Sequence, residues 1–237
     1  YKVAVLAIDP SSNISKGSIL GDKTRMQKLS SSPNAFIRPS PSNGILGGVA
    51  NNTKDIITLC ETAGYNIIII ETVGVGQSET LVESMTDFFL YLTLTENGDE
   101  LQYIKKGALE ITDFIIINKS DLNKSKAIQT QKSLQSHLNA YNNKKTQTVF
   151  TCSAIKHINI DKIWHHIDMM YKKNYNNGEI EKKRRNQNVF WLKKYIVSEY
   201  IDLIKQKKYF IKITRDYEKK SLNNPRKEAL KIIQKLI

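Results

Sequence analysis

The chain has 237 residues, of which 40% are hydrophobic, 8% aromatic and 25% charged; that is enough apolar content for a core of ordinary size, and it excludes disordered, collagen-like and low-complexity classes. The formal net charge is +13, yet residues 172–237 alone hold 19 Lys+Arg against 7 Asp+Glu, leaving 17 against 16 for residues 1–171. The basic balance therefore belongs to the last third, which is rich in Asn, Ile and Lys and reads as a solvated face, while the first part is electrically neutral.

Two cysteines, Cys60 and Cys152, lie outside any CxxC pattern. They cannot form a disulfide framework, and they point to a reducing, cytoplasmic setting. The longest apolar runs, residues 67–70 and 88–94, fall short of the roughly 18–20 residues a membrane helix requires, so no membrane span is expected. No charged, apolar and small-residue leader opens the chain. It starts at Tyr1 without an initiator methionine and almost directly in a strand-like run, which suggests residues upstream.

Residues 2–8 read as a nearly continuous apolar strand, of the kind buried on both faces in a parallel sheet, ending at Asp9-Pro10. Residues 11–52 are crowded with Ser, Gly, Pro and Asn and read as loop, apart from a short helix near 23–29. A helix over 53–64 with a glycine stop leads to a second buried strand at 65–71. Gly74 and Gly76 break the chain, and then come a helix over 79–88, a strand at 89–95, a helix over 100–111 and a strand at 114–118. A helix over 124–139, a strand at 148–152 and an amphipathic helix over 160–171 continue the alternation. Strands alternating with helices predict a doubly wound, mostly parallel α/β sheet. Residues 174–181 read as a polar linker. Beyond it, Val189, Leu192, Ile196, Tyr200 and Leu203 recur at helical spacing over 185–207, and 226–237 repeats the pattern, giving a helical appendage whose apolar stripe needs a cover. The expected domains are an α/β body over 1–172 and a helical arm over 173–237.

The most informative tetrapeptide is Asn118-Lys119-Ser120-Asp121, directly after a buried strand. A carboxylate there can accept hydrogen bonds from the N1 and exocyclic amino groups of guanine, while the asparagine meets the opposite edge and the lysine stem lies along the base. The plain alternative is a strand-to-helix turn with Asp121 as a cap. Thirty residues on, Thr151-Cys152-Ser153-Ala154 also follows an apolar strand, and a Ser-Ala turn there would set backbone N–H groups against the base carbonyl. Two such strand ends in this order favour guanine.

Asp9 and Glu71 end buried strands and Asp22 lies in the loop between, so the three could serve a magnesium ion, a hard cation that prefers oxygen donors. Each taken singly also reads as a turn or capping residue. The run 71–78, Glu-Thr-Val-Gly-Val-Gly-Gln-Ser, places Gly74 where backbone N–H groups can face a terminal phosphate, and it resembles the third motif of GTPases. Asp99, Gln102 and Lys105 lie in a charged segment that reads as a loop or an amphipathic helix face.

Together with runs 7–12, 17–26, 36–42, 46–50, 71–79 and 98–107, the 118–121 motif resembles the MeaB/ArgK family, the GTPases associated with methylmalonyl-CoA mutase and related to the methylmalonic aciduria type A protein. The resemblance spans residues 3–172 and continues weakly through Gln187 and Trp191, in the manner of the family's C-terminal dimerisation arm. It implies a P-loop NTPase-like α/β fold with a mostly parallel sheet flanked by helices, GTP/GDP and Mg2+ as ligands, and a homodimer. It also implies a GTPase chaperone that gates adenosylcobalamin delivery to an acyl-CoA mutase and protects that partner, adenosylcobalamin being reached only through the mutase.

By matching motifs, Asp9, Asp22 and Glu71 would correspond to the magnesium carboxylates. Asn118, Lys119 and Asp121 would select guanine, with Ser153 and Ala154 beside the base and Gly74 at the phosphate. Asp99, Gln102 and Lys105 would form a third switch, Lys105 being the charge that stabilises the transition state.

One departure stands out. GxxxxGK[ST] does not occur, and none of the eleven glycines is followed by lysine. In the family that loop precedes the first strand seen here, so the chain reads either as a fragment or as a remnant, and these 237 residues are not expected to hydrolyse GTP appreciably. A metal-delivery GTPase is disfavoured because His137, His157, His165, His166 and the two cysteines lack ligand spacing. A nucleic-acid module is disfavoured because the aromatics of the basic third fall at helical spacing. The other reading kept open is a nucleotide-independent protein that only dimerises or binds the mutase.

Overall fold

Val3–Asp9 forms β1, whose Ala4, Val5, Leu6 and Ala7 are all buried, as the continuous apolar run requires. In this computed structural model, residues 1–9, 26–41, 46–72, 79–94, 110–141, 147–218 and 224–236 are described. They fall into two units, Tyr1–Gln187 and Asn188–Ile237.

In the first unit, a short helix α1 (Gln27–Ser30) precedes β2 (Ala35–Pro41), and α2 (Leu46–Thr62) leads to β3 (Ile67–Thr72). Both β2 and β3 pair in parallel with β1, in the order β2-β1-β3. The strand β2 corrects the expectation of loop over 11–52. Its Pro39 and Pro41 argue against a strand, but β2 lies at the sheet edge, where a residue without an N–H is tolerated. Buried Ile56, Ile57 and Cys60 of α2 help form the core.

A second sheet follows. Helix α3 (Glu79–Glu83) precedes β4 (Leu90–Leu94), and β5 (Phe114–Asn118), α4 (Lys124–Tyr141) and β6 (Thr148–Thr151) complete the order β4-β5-β6, again parallel. Among the described residues no ladder joins β3 to β4. The central strand β5 explains the layering. Ile115 and Ile117 cluster with Leu134 and Leu138 of α4 and with Val149, while Ile116 clusters with Cys152 and with Ile163 of α5 (Ile160–Asn176). Alternate side chains of one strand thus hold helices on opposite faces, the doubly wound arrangement expected from the sequence. Each fully buried aliphatic side chain contributes about 1.5–3 kcal/mol.

The edge strand β6 is covered by side chains of α4. Gln135 donates to Gln147 O at 2.9 Å and accepts from Val149 N at 3.1 Å, and Gln131 donates to Val149 O at 2.7 Å. These amides satisfy backbone groups that an open edge would leave to water or to another chain. Buried Gln147 in turn donates to Thr112 O at 2.6 Å.

The polar segment 174–181 is not a linker. Helix α5 runs through Asn176, and only Asn177 and Gly178 separate it from α6 (Glu179–Gln206), with Gly178 at φ 77° making the turn. Within the first unit, Arg184 of α6 forms a two-pronged bond to Asp87 at 2.8 and 2.6 Å and reaches Glu61 at 3.1 Å. The hydrogen bond to Asp87 raises the Arg184 pKa further above its ordinary value. Gln187 donates to the carbonyls of Glu83 and Thr86.

In the second unit the rest of α6 is followed by α7 (Lys208–Glu218), a helix that the sequence reading does not assign, and by α8 (Pro225–Leu236). Tyr217 of α7 donates to Glu228 of α8 at 2.7 Å. Lys231 and then Tyr217 hold the Glu228 carboxyl below the usual range.

Candidate functional site

The carboxyl ends of parallel strands are where such folds gather ligand-binding residues, because the following loops and helix N-termini converge there. Asp9 and Glu71 both lie at this end of the first sheet. Glu71 stands opposite Ala7 in the β1–β3 ladder, and Asp9 is two positions further along β1. Glu71 is half-buried. Asp22, Gly74, Asp99, Gln102 and Lys105 lie outside the described residues, as does most of the helix expected over 100–111.

In the second sheet the described residues include this end of β5 and β6. Asn118 closes β5, and its side-chain oxygen is a hub: it accepts from Lys119 N at 2.8 Å, from Ala154 N at 3.1 Å and from Cys152 Sγ at 3.5 Å. Burial pushes the Cys152 thiol up, keeping it protonated and able to donate. The loops after β5 and β6 are further joined by Ser120 N donating to Cys152 O at 2.9 Å, and Cys152 N bonds Ile117 O at 2.8 Å. The structure therefore brings Asn118 and Ala154 into direct contact across 36 residues of sequence.

Lys119 stands at φ 57°, a left-handed turn that sends the chain away from the strand, and Leu122 N bonds back to Lys119 O. Asp121 is exposed on this turn. The capping alternative for Asp121 is not what the structure shows: Asn123 accepts from Lys126 N at 3.0 Å and from Ser125 Oγ at 3.0 Å, capping α4 itself. Ser153 is buried, with its N–H donated to Ile158 O and its hydroxyl accepting from Lys156 N.

Sequence reasoning missed Asn123 and Asn159 as parts of this end of the sheet, and it placed Cys152 in the Thr-Cys-Ser-Ala run without its bond to Asn118. Asn123 had a legible signal, an asparagine immediately before a helical run. Asn159 stands at φ 59° and donates its side-chain amide to Thr151 O at 3.0 Å. A lone asparagine in a chain so rich in asparagine gives no such hint. Among the described residues, no group of three His, Cys, Asp or Glu side chains converges as a metal site, and no helix is long and apolar enough to cross a membrane.

Parallel strands with helices on both faces and loops tied together at one strand end place the chain among α/β proteins of the P-loop NTPase-like kind. The chain belongs to the family described as Methylmalonyl Co-A mutase-associated GTPase MeaB, which matches residues 1–209. It is 44% identical over 205 residues to GTPase ArgK of Escherichia coli (strain K12), a match covering 85% of this chain and 62% of that protein. It is 42% identical over 200 residues to the mitochondrial methylmalonic aciduria type A homolog of Mus musculus, covering 81% of this chain and 47% of that one. A crystal structure of an LAO/AO transport system kinase superposes with a TM-score of 0.68 at 31% identity, over 99% of this chain and 72% of that chain. The chain thus spans less than two thirds of the length of either of these curated relatives, the ArgK and aciduria type A proteins.

Proposed function

We propose that this chain carries the guanine-binding half of a GTPase chaperone for an adenosylcobalamin-dependent acyl-CoA mutase, methylmalonyl-CoA mutase being the partner that the family's description names. The observation that carries the base reading is the Asn118 hub, which ties the Asn-Lys-Ser-Asp turn to the Ser-Ala loop. In this reading Asp121 accepts from the guanine N1 and 2-amino groups. The Lys119 stem lies along the base, and Ala154 N–H passes from Asn118 to the 6-carbonyl.

Oxygen donors at the ends of β1 and β3 suit a hard divalent cation, so Asp9 and Glu71, with Asp22, are proposed to hold Mg2+ directly or through water. Bound there, the ion would neutralise charge on the nucleotide phosphates. Asp99, Gln102 and Lys105 are proposed as the switch that meets the nucleotide when the mutase is engaged, with Gly74 beside the terminal phosphate. The arm is proposed to form a homodimer. Two free, buried cysteines suit a reducing compartment such as the cytoplasm.

A second reading is favoured by one specific observation, the lack of GxxxxGK[ST] in these 237 residues. It is a nucleotide-independent module that dimerises or binds the mutase. Calorimetry with magnesium, comparing GDP with ADP on the parent chain and on Asp121→Ala, separates the two. GDP-specific binding that weakens by roughly 100-fold in Asp121→Ala is expected, since hydrogen bonds to a charged group contribute about 1.5–3 kcal/mol each. A folded parent chain that binds neither nucleotide would leave the interaction module.

A further inference from the structure

Asn159 holds the residue position just before α5 and yet makes no side-chain cap to that helix. Its backbone is left-handed at φ 59°, and its amide is turned back to Thr151 O, 3.0 Å away. Thr151 is the last residue of β6 and stands opposite Ile117 in the β5–β6 ladder, one residue before Asn118. Between the two ends of this tie lies the loop 153–158. It is drawn together by Ser153 N to Ile158 O at 3.1 Å, Ile158 N to Ser153 O at 3.0 Å and Lys156 N to Ser153 Oγ at 3.1 Å. On its far side, Asn159 O accepts from Ile163 N, and Ile163 is packed in the core with Ile116 and Cys152.

We infer that Asn159 is a positioning residue for base recognition, fastening the Ser-Ala loop so that Ala154 N–H points at the 6-carbonyl of a guanine nucleotide; this rests on the guanine reading above. The chain crosses from β6 to α5 through two left-handed residues, His157 and Asn159, and backbone geometry alone does not fix where such a loop swings. The amide bond from the end of the loop to the end of the strand anchors the helix side of the loop to β6, beyond the pairing within 153–158 and the Ala154–Asn118 contact. Asparagine suits the task because it tolerates φ > 0 and carries a donor.

Two variants separate the amide from the backbone. Asn159→Gly keeps the left-handed conformation and removes the donor, while Asn159→Asp keeps the shape and sets a carboxylate against Thr151 O. Two measurements are made on the full chain. Amide hydrogen exchange follows residues 153–158 against the β5 strand. Competition binding compares GDP with 6-thio-GDP, which differs only at the atom Ala154 N–H would read, and with IDP, which lacks only the 2-amino group.

Both variants are expected to exchange faster at 153–158 with β5 unchanged. The preference for GDP over 6-thio-GDP should fall by roughly fivefold to tenfold, the size of one hydrogen bond, with GDP over IDP unchanged. A role confined to stability would lower all three affinities alike and overturn the inference. So would unchanged exchange at 153–158, whatever the nucleotide result. A folded parent chain that binds no GDP would overturn the guanine reading and this role with it, whereas GDP binding with an unaltered 6-position preference in Asn159→Gly would overturn the role alone.

Discussion

His157 and Asn159 place two side chains in the left-handed region within three residues, at φ 54° and 59°. For an ordinary L-residue that conformation costs about 1–2 kcal/mol. Asparagine offsets part of the cost through the Thr151 bond, but His157 is exposed and no hydrogen bond of its ring to the described residues compensates. His157→Gly is therefore expected to stabilise the chain. After allowing for the extra freedom glycine gains in the unfolded state, the net effect should be about 0.5–1 kcal/mol. Urea unfolding checks it: a midpoint that moves up with an unchanged slope is expected, and one that moves down would show that the imidazole does something the backbone argument omits. At this scale the sequence was legible in position where a residue type and a strand end coincide, as at Asn118, which closes β5. It was silent where the role is set by a bond made across the fold. Nothing in the composition marks Cys152 as a donor to Asn118, because that contact requires β5 and β6 to be neighbours in register.

The elements owe their stability to both packing and edge protection, and β6 shows the two separately. Val149 is buried against Ile115 and Ile117, which the apolar run foretells. The outer edge is satisfied by Gln131 and Gln135, which the run does not foretell. Replacing Gln135 with Leu removes a donor and an acceptor at once, leaving Val149 N–H and Gln147 O without that partner. The expected loss is about 2 kcal/mol, the usual penalty for an abandoned, partly buried backbone group. Gln131→Leu, which strands only one carbonyl, should cost about half as much by the same reasoning. Chemical denaturation of the two variants checks the ratio, and equal losses would show that the edge is not held by these amides. Strands β1 and β5 were readable because buried parallel strands are nearly continuous in Val, Ile and Leu, and the partly buried β3, β4 and β6 were readable as apolar runs bounded by polar segments. The strand β2 was hidden by Pro39 and Pro41, residues that forbid a central strand but not an edge one. Residues 174–181 misled in the opposite way: their polarity suggested a linker, yet a solvated helical face is equally polar, and only Asn177 and Gly178 interrupt the helices.

For the molecule as a whole, recognition of a base and hydrolysis of a phosphate are separable tasks, and these residues are equipped unequally for them. The end proposed to take the base is built from β5, β6 and their loops, tied by hydrogen bonds at 2.8–3.1 Å. Phosphoryl transfer is mostly positioning and charge neutralisation, and the lysine of a phosphate-cradling loop supplies much of both. No glycine in the chain precedes a lysine, so that lysine and the N–H nest around the β-phosphate are not encoded in these 237 residues. Asp9, Asp22 and Glu71 are proposed to hold a metal, but without the cradle the terminal phosphate would not be fixed in line with an attacking water. Losing such fixed, preorganised donors costs about a hundredfold to a thousandfold each, so the full set should bring turnover below detection. The purified chain is therefore expected to show no magnesium-dependent GTP hydrolysis above a no-protein control in a single-turnover assay with excess protein, even under conditions where GDP binds. Turnover that is abolished by Asp121→Ala would mean that another lysine or arginine of this chain reaches the phosphates. Lys105 would then be the first residue to replace, since it is the charge proposed for the switch that meets the nucleotide.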